Sequence, residues 1–367
     1  MTGQKRFYWL DWLRFTAAFT VLFCHARIHN WLPYVNLEDG SKSHLGWIFF
    51  AATESGIAPV VIFFVLSGFL VGGKVLERVM NGTFDAAAYA LDRISRIYVP
   101  LLPALLVTIV ICLGCGNPIS IGEFFGNLLG LQGLSCGPFG GNEPLWSLAY
   151  EFWFYLLAGY IGLMLGSSYR LLGTLFGVTL VFIVFTQFDA SLLFSWCLGA
   201  FSYGFLSGNF KRAWVFVSVA LALTGYVLLQ LLSGGGNAGV FGAFLPSRAV
   251  AILVLSLGLA FMMPFLAHHP PRSEKLISVE RAGTNLAAFS YTLYLTHYPL
   301  LGLWDHFLHE QFATLSLHTF LWFIAKVSSC LFVAWLLYLP FEAQTARVRT
   351  WMKERWLGRS IELYSKA

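Results

Sequence analysis

The chain has 367 residues, of which 57% are hydrophobic and only 11% charged, with a formal net charge of +5. A soluble domain carries roughly 25% charged side chains, so this composition excludes a water-covered globule and reads as one membrane domain. No stretch is polar enough to form a separate soluble domain, and neither a metal pattern nor a nucleotide-hydrolysis motif is present.

Apolar windows predict ten spans, near 7–29, 57–76, 97–116, 144–165, 171–186, 190–208, 213–232, 247–267, 285–305 and 316–339. Each suffices for roughly 30 Å of hydrocarbon, allowing for tilt. The first follows Lys5 and Arg6 but lacks a small-x-small cleavage pattern and contains Asp11, Arg14 and His25, so it reads as a retained helix. With the N-terminus inside, 18 of the 23 Lys and Arg fall on cytoplasmic segments, against Lys42 and Arg248 outside. The positive charge is therefore a topology signal and argues against nucleic acid as a partner. The expected fold is all-α, a polytopic membrane helix bundle of about ten transmembrane helices with both termini cytoplasmic. Residues 1–340 form the membrane domain. Residues 341–367 form a basic amphipathic tail whose plain partner is anionic membrane lipid.

Three connections are long enough for structure of their own. Residues 30–56 contain an apolar stretch, Trp47–Phe50, suited to the interface. Residues 77–96 hold an expected short helix, Asp85 to Arg96, after the Asn81-Gly82 turn signal. The Gly-rich segment 117–143 reads as a mobile outer cover. Cys24, Cys197 and Cys330 fall inside spans as core residues, and Cys136 is within reach of a disulfide to Cys112 or Cys115 in an oxidising compartment.

Ionisable groups inside spans are costly and need a partner or a task. In the first span Asp11 and Arg14 are three apart and can pair. Arg14 and His25 are eleven apart, about 20° in azimuth and ~16 Å in rise on an α-helix. One face thus carries a cation near the inner side and an imidazole towards the outer side; the plainer alternative is a snorkelling Arg14 and a structural His25. Arg93 and Arg96 share a face where the third span enters the membrane, and guanidiniums there suit phosphates, although positive-inside anchoring explains them as well. In the fourth span Ser147, Glu151 and Tyr155 form one polar stripe on an aromatic helix. Glu151 is expected at the depth of His25, giving a carboxylate–imidazole general-base pair or a polar clamp between helices. His297 lies beside Pro299 and either binds substrate or bonds a freed carbonyl. Glu342 is expected to pair with a basic residue, and Lys326 has no evident partner. Trp12, Trp31, Trp146 and Trp153 are candidate sugar-stacking faces, or plain packing and lipid contacts.

Together these segments resemble the acyltransferase-3 family of multi-pass membrane acyltransferases. The resemblance rests on the Arg14-to-His25 spacing, Phe63-Phe64-Val65-Leu66-Ser67-Gly68-Phe69-Leu70, and Arg93-x-x-Arg96-Ile97 running to Pro100. It also rests on Leu145-Trp146-Ser147-Leu148 leading to Glu151, and on Ser290-Tyr291 through Tyr294-Leu295, His297 and Pro299. The segments occur in the family's order over nearly the whole chain. One departure is Pro59-Val60-Val61-Ile62, where a polar residue is usual. The resemblance implies ten core helices, an acyl-CoA co-substrate (usually acetyl-CoA) arriving from the cytoplasm, and no tightly bound cofactor. It implies a hydroxyl acceptor on a surface carbohydrate or its lipid-linked glycolipid precursor, in a bacterial inner membrane. His25 falls on the family's essential histidine, and Arg14, Arg93 and Arg96 on its donor-associated arginines. Glu151 is then the residue that orients His25, with Trp146, Ser147 and His297 near substrate and Asp11 and Glu342 structural. Cys24 lies about 100° round the helix from His25 and is a poor acyl relay. A transporter or flippase of a lipid-linked sugar is the competing reading, since buried charges serve it equally.

Overall fold

The computed structural model describes residues 7–166, 170–206, 212–233, 246–268, 274–308 and 310–358. It is all-helical, 82% helix, with no strand among the described residues. In chain order the helices are α1 (Tyr8–Ile28), α2 (His44–Ala52), α3 (Ile57–Ser67), α4 (Gly73–Met80), α5 (Ala86–Gly114), α6 (Ile121–Leu128), α7 (Leu145–Gly166) and α8 (Arg170–Phe185). They continue with α9 (Ala190–Ser202), α10 (Arg212–Ser233), α11 (Arg248–His268), α12 (Glu274–Ala288), α13 (Ser290–Leu308), α14 (Leu317–Tyr338) and α15 (Thr345–Leu357).

Among the described residues, six helical stretches are long and apolar enough to cross a membrane: His44–Met80, Ala86–Gly114, Leu145–Leu165, Ala213–Ser233, Arg248–His268 and Leu317–Leu357. The other helices expected as spans are either polar or short. α1 carries Asp11, Arg14 and Arg27, and α13 carries Asp305. α8 and α9 have only 16 and 13 residues. The outer surface is nonetheless apolar. On α5, Leu102, Leu106, Val110 and Leu113 are exposed at helical spacing, a lipid-facing stripe that water would not tolerate.

The helix expected over 85–96 is not separate. Asp85 caps α5 by accepting from the Ala88 N–H, and the helix runs unbroken for 29 residues, about 43 Å at 1.5 Å per residue. That exceeds the hydrocarbon thickness, so its first turns, with Asp92, Arg93 and Arg96, stand at the basic end of the bundle.

α3 enters α4 through one π-helical turn, Gly68–Gly72, at the motif Phe63–Leu70. Its Gly68 lies where the backbone meets that of α9. A Cβ on Gly68 would lie 1.9 Å from the Trp196 carbonyl oxygen, and one on Gly199 would lie 2.1 Å from that of Val65. Small residues four apart permit such approach between helices.

The segment 117–143 is packed and not a loose cover. Asn127, 1% exposed, donates to the Glu123 and Gly137 carbonyls and accepts from the Phe139 N–H. Phe139 is fully buried, and Gly140 and Gly141 supply the positive φ that turns the chain into α7. All six cysteines are free, so the outer disulfide is not formed.

Candidate active site

α1, α3, α7 and α13 pack together and wall two cavities at different levels. α1 and α13 ascend from the basic end, whereas α3 and α7 descend towards it. The first cavity, about 460 Å³, lies at the basic end and is lined by Arg14, Lys74, Arg93, Arg96 and Arg349, with Glu151 the lone carboxylate among its described lining. The second, about 550 Å³, contains His25, Glu54, Gly56, Trp146 and Arg248. The sequence-predicted residues are thus divided between two chambers.

In the basic cavity the cations differ in how far they are already matched. Arg96 Nη1 donates to Glu342 Oε1 at 3.0 Å, and its guanidinium stacks on Tyr291 at 4.8 Å. Glu342 Oε2 also accepts from the backbone N–H (3.0 Å) and the hydroxyl (2.7 Å) of Thr292 in the first turn of α13. A carboxylate at a helix N-terminus satisfies donors that have no intrahelical partner. Glu342 therefore has the basic partner expected of it. Arg14 reaches Asp11 at 3.5 Å, and Asp11 also accepts from Thr284 on α12. Arg349 on α15 is 3.7 Å from Asp92, which Lys353 approaches to 2.7 Å. The tail helix is thereby pinned to α5 and contributes to the cavity wall. Lys74 and Arg93 have no ion pair among the described residues. The Arg93 guanidinium lies over Tyr155 and Tyr89 at 5.1 and 5.7 Å, and its Nε is buried without a hydrogen-bond partner, as are Ser67 Oγ and Tyr291 OH in the same lining. Lys74 and Arg93, without an ion pair among the described residues, together with the unmatched donors, suit a polyanionic ligand.

The second cavity is organised around an imidazole pair. His25 Nδ1 and His297 Nε2 are 2.8 Å apart, and His297 Nδ1 is 3.0 Å from the Leu293 carbonyl oxygen. A carbonyl only accepts, so with both rings neutral His297 carries its proton on Nδ1. His297 Nε2 then accepts from the Nδ1–H of His25. The lone pair of His25 Nε2 is left unused, close to Gly56, where a Cβ would lie 3.5 Å from it. His297 is 1% exposed and belongs to neither cavity lining, so it supports His25 from behind. The carbonyl that Pro299 frees is that of Leu295, four residues earlier, and Asn142 takes it with a 2.9 Å hydrogen bond.

The expected His25–Glu151 pair is not formed. α7 starts deep in the bundle, because Asn142 is tied to Leu295 and Ser147 Oγ lies 2.6 Å from Tyr294 OH. Glu151, one turn further in, faces the basic cavity, where the Tyr155 hydroxyl donates to it. Adjacent residues at the start of α7 part company: Trp146 faces the His25 cavity and Ser147 the basic one. Of the other tryptophans, Trp31 is core, while Trp12 and Trp153 donate to the Val279 and Gly130 carbonyls. Lys326, 1% exposed, is matched after all: its ammonium donates to the His29 carbonyl at 2.6 Å and lies 3.6 Å from Asp305.

A family model described as an acyltransferase domain matches residues 7–339, nearly the whole chain. The chain belongs to the acyltransferase-3 family. No curated protein and no solved structure matches it. Membership in the acyltransferase-3 family implies an acyltransferase, and the apolar spans make this member an integral membrane protein. The resemblance read from five sequence segments is borne out. Sequence reasoning missed Lys74, Arg349 and Tyr294 as lining residues of the basic cavity. Lys74 and Arg349 resemble ordinary positive-inside anchors, and only the π turn and the docking of α15 turn them inward.

Proposed function

We propose that the chain is an O-acyltransferase of a bacterial inner membrane. It moves an acyl group, acetyl in the first instance, from cytoplasmic acyl-CoA to a hydroxyl of a surface polysaccharide or its lipid-linked saccharide precursor. The observation that carries the reading is the His25–His297–Leu293 hydrogen-bond chain. It leaves one imidazole lone pair free in a cavity with an aromatic wall, beside a second chamber rich in cations.

The basic cavity then faces the cytoplasm, and Lys74, Arg93 and Arg349 hold CoA phosphates. Arg96 acts more weakly because Glu342 already neutralises it, and Arg14 lies along the path of the pantetheine arm. Glu151 offers that arm a polar contact. In the other cavity Trp146 gives a sugar a stacking face. His25 Nε2 takes the proton of the acceptor hydroxyl as its oxygen attacks the thioester carbonyl. The C–O bond forms, the C–S bond breaks, and His25 passes the proton to the departing thiolate, giving an ester and the CoA thiol. Holding both reactants in one geometry lowers the entropic part of the barrier, and the positioned base contributes typically 10²–10⁴-fold.

The test is CoA release from acetyl-CoA by the purified protein in lipid, with a candidate acceptor extract, comparing the native chain with His25→Ala. Acceptor-dependent release that the substitution removes is expected. A native protein that neither binds nor turns over the donor would sink the reading and bring forward a transporter of a lipid-linked sugar.

A further inference from the structure

Among the described residues, the linings of the two cavities share only Val60 and Tyr294. Val60 sits on α3 between Gly56 and Ile57, which face the His25 cavity, and Phe63 and Phe64, which face the basic one. Tyr294 holds the same level on α13, between Tyr291 in the basic cavity and His297 behind His25. Its hydroxyl is 2.6 Å from Ser147 Oγ and 3.3 Å from the Pro144 carbonyl oxygen, and its ring meets Phe63 edge-on at 5.6 Å. Val60 is 4% and Tyr294 7% exposed. Among the described residues, the side chains that face both the cation-lined chamber and the base-lined chamber are therefore one branched aliphatic group and one pinned ring.

A donor anchored by its phosphates in the basic cavity can meet His25 only if its acyl end reaches these two side chains. Resting on the acyltransferase reading above, we infer that Val60 and Tyr294 set the acyl length the protein accepts. An acetyl group seats against them. A longer chain presses on the γ-methyls of Val60 or must break the Tyr294–Ser147 hydrogen bond to displace the ring. Both side chains sit in a packed region where added methylenes are resisted. Discrimination by an apolar wall runs at about 10–200-fold per misfitting methylene.

The experiment measures affinities of the full chain in lipid nanodiscs for CoA, acetyl-CoA, butyryl-CoA and hexanoyl-CoA, and needs no acceptor. With CoA as the internal reference, the native protein is expected to bind hexanoyl-CoA at least about tenfold more weakly than acetyl-CoA. Val60→Ala brings the two near parity, and Val60→Phe deepens the penalty on butyryl-CoA as well as on hexanoyl-CoA. Tyr294→Phe removes only the hydroxyl that pins the ring and relaxes the profile as Val60→Ala does, so the inference stays testable if one variant folds badly. Parallel profiles in native protein and variants, with CoA binding intact, would overturn the inference and leave the acyltransferase reading standing. Absence of CoA binding in the native protein would overturn both.

Discussion

The two cavities share four helices yet are opposites in chemistry. At the basic end α1 offers Arg14, and the lining gathers five cations around one carboxylate. Further along the same helix it offers His25, whose unused nitrogen is fixed by a neighbouring imidazole. What separates them is register: about three turns of α1, and a single residue step from Trp146 to Ser147 on α7. On the proposed function, binding and proton transfer fall in different chambers, so substitutions in each should move different kinetic parameters.

The sharpest way to break this division is at His25. His25→Ala is expected to lower kcat by about 10²–10⁴-fold while leaving donor affinity unchanged, measured by CoA release and direct binding. An equal loss of donor affinity would mean that the chambers are not distinct. Next comes His297, a positioning residue. His297→Ala should cost about tenfold or more in kcat with little change in donor KM, and His297→Gln, which keeps an acceptor near His25 Nδ1, should recover part of the loss. Failure of the Gln variant to recover any activity would reduce His297 to packing. In the basic cavity, Arg93→Ala should raise donor KM about tenfold, as expected for a lost charge-assisted contact, with kcat nearly unchanged. Added salt should blunt that difference. The smallest effect belongs to Cys24→Ala, expected to retain full activity in the same CoA-release assay; a large loss would argue for an acyl-cysteine intermediate.

Much of this was legible in the sequence. Hydropathy windows and the lopsided distribution of Lys and Arg point to an all-helical membrane bundle, and five short segments in order point to the family. The azimuth of Arg14 and His25 on one helix was also readable, since helix geometry is local. What failed was depth. Glu151 was set level with His25 by counting from an assumed boundary at residue 144. The true start of α7 is governed by Asn142 reaching the carbonyl freed by Pro299, a contact across 153 residues of sequence. The segment 117–143 looked loose because it is rich in glycine. Those glycines make the turns that let Asn127 and Phe139 pack. Arg349 was read as a lipid anchor because its neighbour Asp92 lies far away in the chain. Local periodicity carries orientation around a helix axis, whereas height along it is set by distant partners.

The pinning of α15 to Asp92 bears on how the protein is made. The basic cavity draws Arg14 from the first helix and Arg349 from the α15 helix, with α5 and its Asp92 holding the latter in place. A nascent chain therefore cannot complete this chamber until translation has passed residue 349. A product cut short before that point could insert its spans and still lack one wall of the chamber. On the proposed function, donor affinity in membranes would then report on synthesis past residue 349, distinguishing such molecules from abortive ones that hydropathy alone cannot tell apart.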